Sequence, residues 1–169
     1  MFASGRTQTL ERNVANGWKA DIAEVSIDCS YPVRQHNLMN DHERGLLAFV
    51  AEPNRSRMER LLQLGPKRRG DARSLLRSIE LNPRFSEHLK GSEAFPLPAE
   101  VNLRRRGAPS TCYVFASDSG LDGREMLLGE ALEAVVGMGE AALISCIPGH
   151  LAFYEGDYMK MSYVLSKPR

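Results

Sequence analysis

The last third of the chain constrains the fold more than any other part, because short apolar runs alternate there with residues typical of turns. Three runs, AALISC, LAFY and YMKMSYVLS, are rich in aliphatic and aromatic residues, which favour strands. The turns between them contain Pro148–Gly149, a pair typical of the centre of a type II turn, and Gly156. The sequence therefore predicts a three-stranded antiparallel meander over residues 141–166.

A strand and a helix precede the meander. Residues 111–117, TCYVFAS, are β-branched and aromatic and predict a strand. In residues 124–139, REMLLGEALEAVVGMG, the side chains of Leu128, Leu132 and Val135 recur at helical spacing. We therefore predict a C-terminal β-α-β-β-β segment that ends in the meander.

The middle of the chain is typical of helices. Amphipathic spacing and helix-stop residues predict helices over 53–65, 68–81 and 97–107, and one or two helical turns over 83–89. Residues 45–52, GLLAFVAE, form a short continuous apolar run whose length favours a buried strand. Because helices and strands are segregated along the chain, we predict an α+β fold with helices packed on one face of an antiparallel or mixed sheet.

The N-terminal residues are the least informative part of the sequence. They hold a short helical pattern, one alternating stretch, EVSIDCS, and a polar loop around Pro32. We predict an N-terminal arm over residues 1–42 and a single α+β domain over residues 43–169. A chain of this length buries roughly two-thirds of its unfolded surface, so the domain needs neither disulfides nor metal to fold.

Composition argues against membrane and secreted proteins. No apolar run approaches the ~20 residues of a membrane-spanning helix, and the N-terminus lacks the apolar core of a secretory signal. The three cysteines, Cys29, Cys112 and Cys146, are widely separated and match no zinc-finger spacing. We therefore predict a cytoplasmic protein without a membrane partner, in which Cys112 and Cys146 are reduced and buried.

Charge is unevenly distributed along the chain, although the net charge is only +1. Residues 53–106 carry 13 Lys or Arg against 6 Asp or Glu, a net of +7, so the flanking segments sum to −6. Within the basic segment Arg69, Arg73 and Arg77 recur every four residues and share one helical face. We refer to these three residues as the arginine stripe.

The arginine stripe is the predicted partner-binding surface. Arg104, Arg105 and Arg106 extend it if the two helices are neighbours. Such a surface contacts phosphates or carboxylates without reading sequence. The alternatives are a solvated helix face and a patch that pairs with the acidic C-terminal third. The predicted function is a small interaction or regulatory protein that recognises an anionic partner, either an acidic protein surface or a nucleic acid.

Cys146 and His150 raise a second hypothesis of a different class. A thiol and an imidazole that bracket one turn offer a nucleophile and its base. Any hairpin supplies such pairs, however, and strand alternation directs Cys146 to the core while His150 stays at the turn. The hairpin interpretation is favoured. The alternative is an enzyme whose site combines distant residues, with Cys146, His150, Asp118 and Asp122 as candidates.

Metal and cofactor motifs are not found in the sequence. Residues 118–125, DSGLDGRE, resemble the start of a calcium loop, but Gly129 stands at the twelfth position where that loop needs Glu. The glycine pair Gly137 and Gly139 lacks the preceding strand and following helix of a phosphate-binding loop. We predict neither a metal nor a cofactor.

Overall fold

The computed structural model describes residues 39–157 and 161–168. Within them are five helices: α1 (Asp41–Leu46), α2 (Asn54–Gln63), α3 (Pro66–Leu75), α4 (Pro96–Arg105) and α5 (Leu128–Val135). The strands are β1 (Ser86–His88), β2 (Thr111–Ala116), β3 (Glu125–Leu127), β4 (Ala142–Ile147), β5 (Leu151–Glu155) and β6 (Ser162–Ser166). Most of the predicted arm, including Cys29, lies outside the described residues.

The strands form one antiparallel sheet in the order β1-β6-β5-β4-β2-β3. This confirms the α+β class and the C-terminal meander. In the first turn the amide of His150 donates to the carbonyl of Ile147 at 3.0 Å, and Gly149 has φ +71°, as a type II turn requires. The second turn includes residues 158–160, which lie outside the described part of the chain.

Helices cover both faces of this sheet, rather than the single face that the sequence predicts. Strands β2, β4 and β5 are buried along nearly their whole length. Such strands need cover on both sides. One face, which carries Tyr113 and Phe115, packs against α1, α2 and α3. The other face, which carries Val114 and Phe153, packs against α4 and α5.

The strand predicted over residues 45–52 is wrong. The described structure has the end of α1 there, then a 3-10 turn over Leu47–Phe49, and a single bridge between Val50 and Leu81. The cause is a capping box, in which Asn40 Oδ1 accepts from the amide of Glu43 at 2.8 Å and a Glu43 carboxylate oxygen accepts from the amide of Asn40 at 3.2 Å. The apolar run is buried as a helical face.

Two short edge strands stand where the sequence predicts helix. Residues 86–88 pair with β6, and residues 125–127 pair with β2 instead of opening the following helix. Three-residue strands carry little pattern of their own, and the ladder bonds to a neighbouring strand decide their conformation.

Candidate functional site

The arginine stripe faces acidic side chains of other elements. Arg69, at the start of α3, donates from Nη1 to Glu43 at 2.6 Å and from Nε to Asp122 at 2.5 Å. The third guanidinium nitrogen, Nη2, donates to the hydroxyl of Tyr113 at 2.8 Å. The carboxylates are almost inaccessible, with exposed fractions of 3% for the Glu43 side chain and 4% for that of Asp122. Arg69 therefore joins α1, β2 and the loop after β2 to α3.

Burial and hydrogen bonds shift the pKa values of Arg69 and Tyr113. Burial opposes the charge on Arg69, but the hydrogen bonds to Asp122, Glu43 and Tyr113 together raise the pKa of Arg69 above its ordinary value. Burial, with the hydrogen bond to Glu43 as a further cause, raises the pKa of Tyr113 to about 12. The tyrosine hydroxyl is therefore protonated at neutral pH, and it donates a 2.5 Å hydrogen bond to the carboxylate of Glu43.

The rest of the stripe is paired as well. Arg73 lies 3.9 Å from Asp122 and has a side chain only 25% exposed. Arg77, about half exposed, lies 2.8 Å from Glu140 and 3.4 Å from Asp157. The expectation of an exposed stripe is therefore not met at Arg69 and Arg73. Each of the three arginines pairs with a carboxylate of the acidic C-terminal third, the alternative considered for the sequence, and Arg69 pairs with Glu43 of the N-terminal segment as well.

Two polar residues beside this network were missed in the sequence. His42, half-buried on α1, forms a 2.9 Å hydrogen bond through Nδ1 to Oγ of Ser145 and stacks on the ring of Tyr113. Ser145 is 1% exposed and lies on β4 in the interior of the sheet. The Asn40-x-x-Glu43 spacing of the capping box was the available signal for a helix here.

Cys146 and His150 are not hydrogen-bonded to each other. Cys146 is 3% exposed on the α4–α5 face of the sheet, and burial raises the pKa of its thiol well above the ordinary range. Burial also raises the pKa of the Cys112 thiol, to about 12. Both are free thiols and buried, as predicted, and neither supplies a thiolate at neutral pH.

Two acidic side chains of the loop after β2 form hydrogen bonds with groups of the same chain. Asp118 accepts from the amide of Gly120 at 2.8 Å, Asp122 holds Arg69, and Glu125 lies in β3. Over residues 39–157 and 161–168, no three His, Cys, Asp or Glu side chains are grouped closely enough to hold a metal ion. The same residues contain no helix with the length and apolar character to cross a membrane.

The second predicted group of arginines lies at the C-terminal end of α4, away from the stripe. Arg104 pairs with Glu100 one turn earlier, at 3.1 Å, and Arg106 pairs with Glu87 of β1 at 2.6 Å. Arg105 is exposed and forms no ion pair with any described residue.

Arg106 also borders a cleft of about 530 Å³ at one end of the β5–β6 pair. We call this the basic cleft. Lys167 lines it with its ammonium group 5.5 Å from the ring centroid of Phe85. Nδ1 of His150 is buried there without a hydrogen bond to any described group. The lining also includes Ile147, Leu151 and Ser166. Arginine, lysine, imidazole and hydroxyl groups thus meet around one cleft with an apolar floor.

No protein-family model, no curated protein and no solved structure matches the chain.

Proposed function

We propose that the chain is a small cytoplasmic interaction or regulatory protein that recognises an acidic segment of a partner protein through the basic cleft. The observation that carries this proposal is the convergence of Arg106, His150 and Lys167 on one cleft. Arg106 also pairs with a carboxylate of this chain, but that partner, Glu87, is 57% exposed. Arg69 and Arg73, in contrast, pair with carboxylates that are only 3–4% exposed. Binding is therefore assigned to the α4 group of arginines, and the stripe to folding.

The composition of the cleft favours a protein partner over a nucleic acid. Ile147 and Leu151 place apolar surface next to the cations, which suits a segment that carries a carboxylate beside an apolar side chain. Aromatic platforms on which bases stack are not part of the lining.

The proposed cytoplasmic location is based on the two free cysteines. Cys112 and Cys146 are free, and free cysteines are typical of compartments kept reducing. The competing hypothesis of an enzyme that uses Cys146 and His150 lacks support, because the buried thiol is protonated at neutral pH.

The test is a binding measurement with charge-matched variants of the full chain. The probe is a fluorescent peptide rich in Asp, Glu and Leu, and its affinity is measured by fluorescence anisotropy. Replacing Arg105, Arg106 and Lys167 by Ala should weaken binding about tenfold or more, because charge-assisted hydrogen bonds to the peptide are lost. The fold should tolerate the change, since exposed ion pairs contribute ~0–1 kcal/mol to stability.

The control removes three positive charges from another exposed surface. Arg57, Arg60 and Lys67 are exposed on α2 and α3 and form no ion pair with described residues. Replacing them by Ala should leave the peptide affinity within about twofold of the wild type. Equal losses in the two triple variants would show attraction by net charge alone and would contradict the proposal. A cleft-dependent affinity for an oligonucleotide, falling log-linearly with salt, would favour the nucleic-acid alternative instead.

A further inference from the structure

A second cavity lies at the other end of the β5–β6 pair, on the same face of the sheet as the basic cleft. It has a volume of about 550 Å³ and lies between the C-terminal end of α5 and the segment that leads into α4. We call it the Glu155 cavity. Sites for small organic ligands typically have volumes of about 300–1,000 Å³, so this cavity is large enough for one.

A carboxylate stands where the strand pattern calls for an apolar side chain. Leu151 and Phe153 of β5 are buried in the core beneath α4 and α5, and Glu155 follows on the same face by strand alternation. Glu155 is only 2% exposed. Burying a carboxylate costs free energy unless hydrogen bonds and an opposite charge compensate it.

Two hydrogen bonds hold this carboxylate in place. Its Oε1 accepts from the amide of Gly137 at 3.2 Å, and its Oε2 accepts from the hydroxyl of Ser162 at 2.6 Å. Gly137 follows α5 with φ +77°, a conformation that glycine adopts without strain. A carboxylate has about four acceptor positions, so each oxygen keeps one for a further donor. No ion pair links Glu155 to any described Lys, Arg or His.

The walls of the Glu155 cavity are mostly apolar. Ala94, Phe95 and Pro96 form one side, and Val136 belongs to the other. Phe95 precedes the first residue of α4 and is 58% exposed, so a large part of its aromatic surface is not used in packing. An aromatic surface next to a buried carboxylate suits a ligand with an apolar part and a cationic part.

We propose that the Glu155 cavity binds a small organic ammonium compound. Its ammonium group donates hydrogen bonds to the free acceptor positions of Glu155, and its apolar part packs on Phe95 and Val136. The positive charge of the ligand compensates the buried carboxylate, and its apolar part is removed from water.

Other ligand classes fit the cavity less well. Glu155 and Ser162 supply carboxylate and hydroxyl oxygens, whereas calcium takes six to eight oxygen ligands and no metal-binding group of three His, Cys, Asp or Glu exists over the described ranges. An anionic ligand would be repelled by Glu155. A neutral apolar ligand would leave the carboxylate uncompensated.

This inference is independent of the proposed function. The pair Glu155–Ser162 and the pair Leu151–Ser166 stand four residues apart along β5, which is about 13 Å at ~3.3 Å per residue. The Glu155 cavity and the basic cleft share no lining residue. Failure of one proposal leaves the other unaffected.

The test compares three ligands of nearly equal shape on the full chain: phenylethylammonium, phenylethanol and phenylpropionate. Binding is followed through the amide resonance of Gly137 in the nitrogen–proton NMR spectrum, because that amide donates to Glu155. Phenylethylammonium should shift this resonance saturably. Phenylethanol should bind about tenfold more weakly or worse, and phenylpropionate should not bind. Equal affinities for the ammonium compound and the alcohol would overturn the proposal.

Variants then locate the site. Glu155→Gln keeps the shape of the side chain and should weaken phenylethylammonium binding about tenfold, with phenylethanol little changed. Glu133→Gln is the matched control, since it removes an exposed carboxylate from α5, the helix that ends beside the cavity, and should have no effect. Phe95→Ala removes an exposed ring and should weaken both ligands, which keeps the proposal testable if Glu155→Gln does not fold. Unchanged ammonium binding in Glu155→Gln, or in Phe95→Ala, would contradict it.

Discussion

At the residue scale, Arg69 determines whether two buried acids are tolerated. Glu43 and Asp122 come from distant parts of the chain, and both are compensated by this one guanidinium, with Arg73 further away at 3.9 Å. The sequence identifies the spacing of Arg69, Arg73 and Arg77. It does not identify their partners, because the loop around Asp122 reaches α3 only in the folded sheet.

Arg69→Ala should destabilise the protein by about 2–4 kcal/mol, because it leaves the buried carboxylate of Glu43 without a positive partner and Asp122 with only Arg73, 3.9 Å away. Arg68→Ala is the matched control, since Arg68 is 60% exposed and, among the described residues, pairs only with Asp71 one turn later. It should cost no more than ~1 kcal/mol. Urea unfolding of the full chain measures both values. Similar losses in the two variants would show that the buried network contributes little to folding.

At the element scale, the sequence predicts the long elements and fails at short ones. The predicted helices over 53–65, 68–81 and 97–107 correspond to α2, α3 and α4, because each carries apolar spacing or end signals over at least two turns. The apolar run over 45–52 has no period that separates strand from buried helix. Residues 86–88 form a strand only because β6 offers an unpaired edge.

The position of helix α1 depends on the absence of a side chain at Gly45. A Cβ on Gly45 would collide with the backbone of Pro148 and Gly149, so the helix lies directly on the turn between β4 and β5. Strand β4 carries Cys146 and Ser145 just before this turn. The close approach also keeps His42 within hydrogen-bond distance of Ser145.

Gly45→Ala should therefore destabilise the protein by about 1–3 kcal/mol or more, since backbone atoms must move apart. Gly70→Ala is a control with the opposite sign. Gly70 lies in α3, where an added Cβ meets only the end of the Arg73 side chain at 3.8 Å. Alanine there should stabilise the helix by roughly 0.5–1 kcal/mol. Thermal or urea unfolding compares them, and a neutral Gly45→Ala would mean that α1 is free to move away from the turn.

At the scale of the whole molecule, the sheet separates the buried ion network on one face from the two cavities on the other. The face under α1, α2 and α3 holds the buried ion network, and the face under α4 and α5 borders both the basic cleft and the Glu155 cavity. The meander is predictable because its turns and strands are local in sequence. The two cavities are not, because each lies between elements that the sequence places far apart, such as Arg106 and His150 or Phe95 and Glu155.

Burial in the common core also gives the whole protein a pH dependence. Burial is the main cause that raises the pKa of Cys112 from 9.0 to about 12, and the pKa values of Tyr113 and Tyr154 from 10.0 to about 12. Between about pH 9 and about pH 12 the unfolded chain releases these protons while the folded chain retains them. The unfolded state then binds fewer protons, so the free energy of unfolding falls as pH rises.

Each such group lowers stability by at most about 1.4 kcal/mol per pH unit in this window. Urea unfolding midpoints measured from neutral to alkaline pH should therefore decline once the pH exceeds about 9. Loss of ion pairs does not account for such a decline, because every ion pair among the described residues uses arginine as its cation, and arginine stays protonated throughout.

Tyr154→Phe removes one of the titrating groups, at the cost of its hydrogen bond to the carbonyl of Leu76. That variant should start less stable at neutral pH and then lose stability less steeply above about pH 10 than the wild type. A parallel decline in the two proteins would show that Tyr154 releases its proton as readily in the folded chain as in the unfolded one, and the pH dependence would then have to come from the other buried groups.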